Sequence, residues 1–149
     1  MRDIIITTPA TNRILVAEDD VVIMRMVTAI LEREDYKVVP ARDGREAYRI
    51  LQFDANFVGA IFDMNMPHLG GLEIMSHMQT ERRLKRIPIM MMTAERDFAL
   101  CSTLISAGAA LFLQKPFSPT QMQSMLHLLV SKSADSRNKK TNRQRVLAA

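Results

Sequence analysis

The chain has 149 residues, 48% of them hydrophobic and 24% charged, which fits one globular domain with a proper core and excludes a highly charged disordered chain. A single cysteine, Cys101, excludes an internal disulfide, and no apolar run approaches the roughly 20 residues of a bilayer-spanning helix. The net charge of +4 is unevenly placed: residues 132–149 carry +5, so residues 1–131 sum to −1. The Ile4-Ile5-Ile6 run is too short for a signal-peptide core, and a reducing, cytoplasmic location is expected.

Residues 1–12 show no periodic pattern and read as a flexible arm. Ile14–Ala17 is an apolar strand ending in Glu18-Asp19-Asp20, acids that suit the N-terminus of a following helix. Val27, Ile30 and Leu31 place that helix over about Val21–Glu34. Asp35-Tyr36 turns the chain into a second strand, Lys37–Pro40. Asp43 and Glu46 have capping-box spacing and open a helix to about Phe53. Gly59–Asp63 has no polar face until its last residue, as expected of a strand buried on both sides.

After the turn at Met66-Pro67, Gly70-Gly71 frees the backbone for a third helix, Leu72–Arg82. In the strand Ile89–Thr93, Met90-Met91-Met92 reads as core, because a soft-metal site would also need Cys or His. A fourth helix is predicted over Phe98–Ala107, stopped by Gly108, and a fifth strand over Ala109–Gln114. The fourth helix is strongly apolar around Phe98, Leu100, Leu104 and Ile105. Ser118-Pro119-Thr120-Gln121 is a second capping box, with proline at the first helical position. Met122, Met125, Leu126 and Leu129 carry the last helix to about Val130. Residues 132–149, polar and basic, read as a disordered tail.

Five strands alternating with five helices predict an α/β fold, a five-stranded parallel sheet with helices on both faces and right-handed crossovers. Open sheets of this kind bind ligands beyond the carboxyl ends of their strands. There the first strand delivers Glu18 and Asp19, the third Asp63, the fourth Thr93 and the fifth Lys115. Singly, each has an ordinary role as a helix cap or a solvated charge. Jointly, three carboxylates demand a cation, and hard oxygen ligands select Mg²⁺. With Lys115 and Thr93 beside it, Asp63 can take up a phosphoryl group as a nucleophile.

Glu18-Asp19, Asp63 with Met66-Pro67 and Gly71, Thr93-Ala94 and Lys115-Pro116-Phe117 resemble, in order and spacing, the receiver domain of two-component response regulators. The resemblance spans about Arg13–Ser131 and is strongest to stand-alone regulators of the chemotaxis type. It implies the flavodoxin-like sheet order 2-1-3-4-5 and a phospho-histidine donor, either a sensor histidine kinase or a histidine phosphotransfer protein. It also implies Mg²⁺ bound through Asp19, Asp63 and the Asn65 carbonyl, with Glu18 acting mainly through metal-bound water, and a cis bond before Pro116. Thr93 and Phe112 would form the switch. Phe112 stands where relatives often carry tyrosine, whose hydrogen bond it cannot make. Gly70 stands where many relatives carry an acid. Asn65 and Glu95 occupy the two positions that tune loss of the phosphoryl group.

A phosphoacceptor that promotes its own phosphorylation and dephosphorylation is therefore expected, not an enzyme acting on separate substrates. A haloacid-dehalogenase-type phosphatase would need a second Asp where Asn65 stands. The eighteen residues after Ser131 are too few for an output domain. Output is thus expected through phosphorylation-dependent binding of a target protein to the face of the fourth helix, fifth strand and last helix. The alternatives are a phosphate sink or shuttle, and nucleic-acid binding through the basic tail. The tail has no aromatic residue for base stacking, so sequence-specific recognition is not expected, and neither is membrane insertion.

Overall fold

The computed structural model describes residues 11–94 and 111–148, with Ser102, Thr103 and Ser106 between them; for residues 134–148 it describes the backbone alone. Five strands, β1 (Arg13–Ala17), β2 (Lys37–Ala41), β3 (Gly59–Asp63), β4 (Ile89–Thr93) and β5 (Leu111–Gln114), form one sheet in the order β2-β1-β3-β4-β5. All four pairings are parallel. Every residue of β3 and β4 is buried, as central strands covered on both faces require. Edge strand β2 is only partly buried, and there Pro40, lacking a ladder donor, is tolerated.

Side chains alternate along each strand between two apolar layers. On one face Ile14, Val16, Ile61, Met90 and Met92 pack with α1 (Val21–Arg33) and with the C-terminal helix (Pro119–Ala148), through Val27, Leu31, Met122, Leu126 and Leu129. On the other face Leu15, Phe62 and Met91 pack against α2 (Gly44–Phe53), α3 (Gly71–Gln79) and the short turn α4 (Arg82–Lys85), through Leu51, Ile74, Met75, Met78 and Leu84. The three consecutive methionines are thus shared between both layers and fully buried. They are core.

The capping motifs set the helix starts. The Asp20 carboxylate accepts the N–H groups of Val22 and Ile23 at 2.8 and 3.2 Å, and Asp43 accepts that of Glu46 at 2.9 Å. Glu46 reaches back to the Arg42 N–H at 3.1 Å, one residue short of the cap. Ser118 and Gln121 bond reciprocally, at 2.8 and 3.2 Å.

Several boundaries differ from expectation. Thr11 and Asn12 are not part of a loose arm: the Asn12 carbonyl accepts the Lys37 N–H at 2.9 Å, and its side chain donates to the Asp35 carbonyl at 3.0 Å. The third helix ends at Gln79, because the Thr80 hydroxyl donates to the His77 carbonyl at 2.7 Å and Glu81 is extended. The largest correction concerns the C-terminus. Where a disordered tail was expected from Lys132, helical backbone continues to Ala148. Nothing after Pro119 interrupts it, since the stretch lacks glycine and proline and is rich in Lys, Arg, Gln and Ala. Residues 1–10, Glu95 and most of the predicted fourth helix, including Phe98, Leu100, Cys101, Leu104 and Ile105, lie outside the described residues, as do Gly108, Ala109 and Ala110. Among the described residues no helix is long and apolar enough to cross a membrane.

Candidate functional site

Each site residue stands where an apolar strand ends. Residues Ile14–Ala17 are fully buried, and the next residue, Glu18, is only 2% exposed. On adjacent parallel strands, Asp63 closes β3 at 4% exposed, in register with Met92, and Thr93 closes β4 at 2%. Such burial of polar groups is costly unless they are paired. Lys115, on the loop after β5, provides the pairing. Its Nζ lies 2.9 Å from Glu18 Oε2 and 3.3 Å from Asp63 Oδ2. The other Glu18 oxygen accepts the Asp20 N–H at 3.1 Å, and Asp63 Oδ1 accepts the Asn65 N–H at 3.2 Å. Asp19 is exposed at the mouth of the group.

Carboxylate oxygens of Glu18, Asp19 and Asp63 lie within 4.8 Å of one another. Three acids against one ammonium leave the pocket negative. Burial, aided by the nearby Asp63 charge, pushes the Glu18 carboxyl up to about 7 despite the Lys115 and Asp20 contacts that oppose it. For Lys115, burial works against the charge, but the Glu18 hydrogen bond and the two carboxylates outweigh it and raise its pKa. A hard, oxygen-only, acidic donor set fits a divalent cation such as Mg²⁺.

The backbone around Asp63 is closely packed. A Cβ on Gly71 would lie 2.6 Å from the Asp63 carbonyl oxygen and 2.7 Å from Met91 Sδ, so α3 can start directly above β3 only with glycine there. A Cβ on Gly44 would overlap the Leu69 carbonyl, where the start of α2 abuts the loop leading to α3. The Lys115–Pro116 peptide is cis. Phe112 is half-buried on β5, opposite Met91 in register and packed on the α2–α3 side of the core. Asn65 is exposed beside Asp63, and Ala94 is exposed after Thr93.

The structure therefore brings together Glu18, Asp19, Asp63 and Lys115, with Thr93 and Asn65 at the same sheet edge. Glu95 lies outside the described residues. Sequence reasoning grouped Asp20 with the other acids as a generic helix-start charge and did not separate it. Its side chain is committed to α1, and the available signal was its place directly before the first helical residue. The packing role of Gly44 was not anticipated either.

A five-stranded parallel sheet in this order, with an acidic cluster and a lysine at its carboxyl edge, is a flavodoxin-like arrangement with its side-chain cluster where such sheets bind ligands. Residues 14–127 match the model of the response regulator receiver domain, and the chain belongs to that family of two-component signalling proteins. Chemotaxis protein CheY1 of Helicobacter pylori is 32% identical over 119 residues, covering 79% of this chain and 96% of CheY1. The solved structure of chemotaxis response regulator CheY4 of Vibrio cholerae matches with a TM-score of 0.75 and 31% identity, over 80% of this chain and 98% of that one. The receiver domain of sensor histidine kinase PA1611 from Pseudomonas aeruginosa, solved with a magnesium ion coordinated in its active site cleft, matches with a TM-score of 0.73 and 25% identity, over 82% of this chain and 99% of that domain.

Proposed function

We propose that this chain accepts a phosphoryl group on Asp63 from a phospho-histidine of a sensor kinase or phosphotransfer protein, and signals by binding a target protein in the phosphorylated form. The observation that carries this is the state of Asp63, a buried carboxylate at the sheet edge with an ammonium 3.3 Å away and two further acids beside it.

An Asp63 carboxylate oxygen attacks phosphorus, the P–N bond of the donor breaks, and the imidazole leaves with the electron pair and takes up a proton. The product is an acyl phosphate. Such a transfer needs positioning and charge neutralisation more than covalent assistance. Lys115 supplies one positive charge and the Thr93 hydroxyl a hydrogen bond to the phosphoryl oxygens. Mg²⁺, held by Glu18, Asp19, Asp63 and the Asn65 carbonyl, would supply the remaining neutralisation when bound. Hydrolysis of the acyl phosphate at the same site resets the protein, so the chain promotes both steps on itself and transforms no separate substrate.

Output requires only that the phosphorylated form favour one of two pre-existing conformations. Thr93 ends β4, and Phe112 lies on the adjacent strand with a partly exposed ring. Movement of the Thr93 hydroxyl toward the phosphoryl group would vacate space for that ring, coupling the site to the side of the sheet edge that carries β5 and the C-terminal helix. Phenylalanine makes this coupling steric. The test is incubation with acetyl phosphate and Mg²⁺ read by intact mass. A gain of about 80 Da, one phosphoryl group, is expected on the wild type and not on Asp63→Asn; an equal gain on Asp63→Asn would refute the site.

A further inference from the structure

The sheet edge remote from Asp63 is cationic and carries an aromatic side chain in the open. Phe53, the last residue of α2, is 87% exposed. The run Arg82-Arg83-Leu84-Lys85-Arg86 wraps the same end of that helix. Only Leu84 of the run is buried. Arg83 Nη2 donates to the Gln52 carbonyl at 3.2 Å and Arg86 Nη2 to the Ala55 carbonyl at 3.0 Å, so the two guanidinium groups lie on either side of Phe53 in the chain. Arg49, also exposed, stands one helical turn before Phe53.

Capping of the negative end of α2 accounts for Arg83 and Arg86, and Arg83 is also ion-paired with Glu81 at 3.3 Å. Capping does not account for Arg82, Lys85 or Arg49, whose side chains make no hydrogen bond or ion pair among the described residues, nor for an unburied phenylalanine. These residues lie where β3 and β4 begin, about 16 Å from their carboxyl ends.

The C-terminal helix leaves the sheet at the same end, from its opposite face. The Leu129 side chain meets Gly59, the first residue of β3, so the helix from Ser131 to Ala148 runs on past the sheet for about 27 Å. This is the segment that carries the +5 charge, and in it Lys132, Lys139 and Arg143 recur at helical spacing.

We propose that this remote edge binds single-stranded nucleic acid without sequence preference. Its cations suit a repeating phosphate backbone, and Phe53 offers the stacking face that the tail lacks. An acidic protein segment would use the cations but has no such need of an exposed ring beside them. A lipid surface fits less well, because the helix beyond Ser131 has no apolar stripe in its sequence. The proposal is independent of the phosphoacceptor chemistry.

The test is fluorescence anisotropy of a labelled oligothymidylate of about 20 nucleotides with the full chain, between about 50 and 200 mM NaCl. Binding that weakens steeply with salt is expected. Phe53→Ala should weaken it by about tenfold, and Arg82→Gln with Lys85→Gln should reduce the salt slope by about 1.4. Far-UV circular dichroism and urea midpoints establish that both variants fold. No binding at the lowest salt would overturn the proposal. Binding unchanged in both variants would also overturn it, assigning the affinity to the tail alone. Equal displacement of the oligonucleotide by polyglutamate of the same length would reassign the surface to an acidic protein, and equal displacement by phosphatidylserine vesicles would reassign it to a membrane.

Discussion

Replacing Lys115 with methionine keeps an unbranched chain, one atom shorter, and removes its charge. Nζ sits 2.9 Å from Glu18 and 3.3 Å from Asp63, and the two acid side chains are only 1% and 6% exposed. At an effective dielectric of about 20, each contact is worth roughly 5 kcal/mol of Coulomb attraction before desolvation is subtracted. Loss of one partner from such a buried pair costs about 3–5 kcal/mol net. The lysine is itself 18% exposed, which places the expected loss at the low end, about 3 kcal/mol and a fall in Tm of roughly 6–12 °C. Mg²⁺ should then stabilise the variant more than the wild type, because the cation meets a pocket one charge more negative. Phosphorylation by acetyl phosphate should slow by about 10²–10³-fold, as expected when one group that neutralises developing charge is removed. Urea denaturation with and without Mg²⁺, together with time-resolved intact mass, reads all three effects. A variant with wild-type stability and a wild-type phosphorylation rate would refute the placement of Lys115 as the cation of this site.

Gly71→Ala should destabilise by about 1–3 kcal/mol, since its Cβ meets the Asp63 carbonyl and Met91; an unchanged urea midpoint would show that the loop yields freely. Burial disfavours the Asp54 carboxylate, but the Asn56 N–H and Arg13 outweigh it and lower its pKa, with Arg13 at 2.7 Å. A lowered carboxyl stabilises the fold above its ordinary pKa and loses that contribution as pH falls through the folded value. Both side chains are about one-third exposed, so Asp54→Asn should cost at most about 1 kcal/mol near neutrality and nothing in strong acid; a deficit constant with pH would refute the assignment. Asn65→Met and Glu95→Leu should each slow loss of the phosphoryl group without blocking its gain, because an amide and a carboxylate can orient attacking water and apolar groups cannot. Equal decay rates for the wild type and the double variant at saturating Mg²⁺ would remove that role.

The sheet was legible because its central strands are buried on both faces. Ala60-Ile61-Phe62 and Met90-Met91-Met92 leave no polar side to solvate, and each run stops at a polar residue, Asp63 or Thr93, that the parallel register then places at one edge. The same regularity exposed the candidate site, since strand ends in a parallel sheet converge whatever the loops do. The end of the last helix was not legible. Low apolar content and high charge argued for disorder after Lys132, while intrinsic helix propensity and the lack of any breaker argued for continuation. The two signals oppose each other, and helical backbone to Ala148 follows the second.

Glu18, Asp19 and Asp20 show a different limit. They are adjacent and similar in chemistry, yet one binds Lys115, one faces outward and one caps α1. What separates them is the chain's change from extended to helical backbone at Asp20, which rotates successive side chains toward different neighbours. Lys115 is 97 residues away from Glu18, and no local pattern says which acid it will meet. The Gly44 contact has the same character, because the Leu69 carbonyl that requires it arrives from a loop 25 residues later in the chain. Residues whose role follows from their own element can be read in sequence order. Those whose role depends on a partner brought in by a crossover become readable only once the sheet order places the partner beside them.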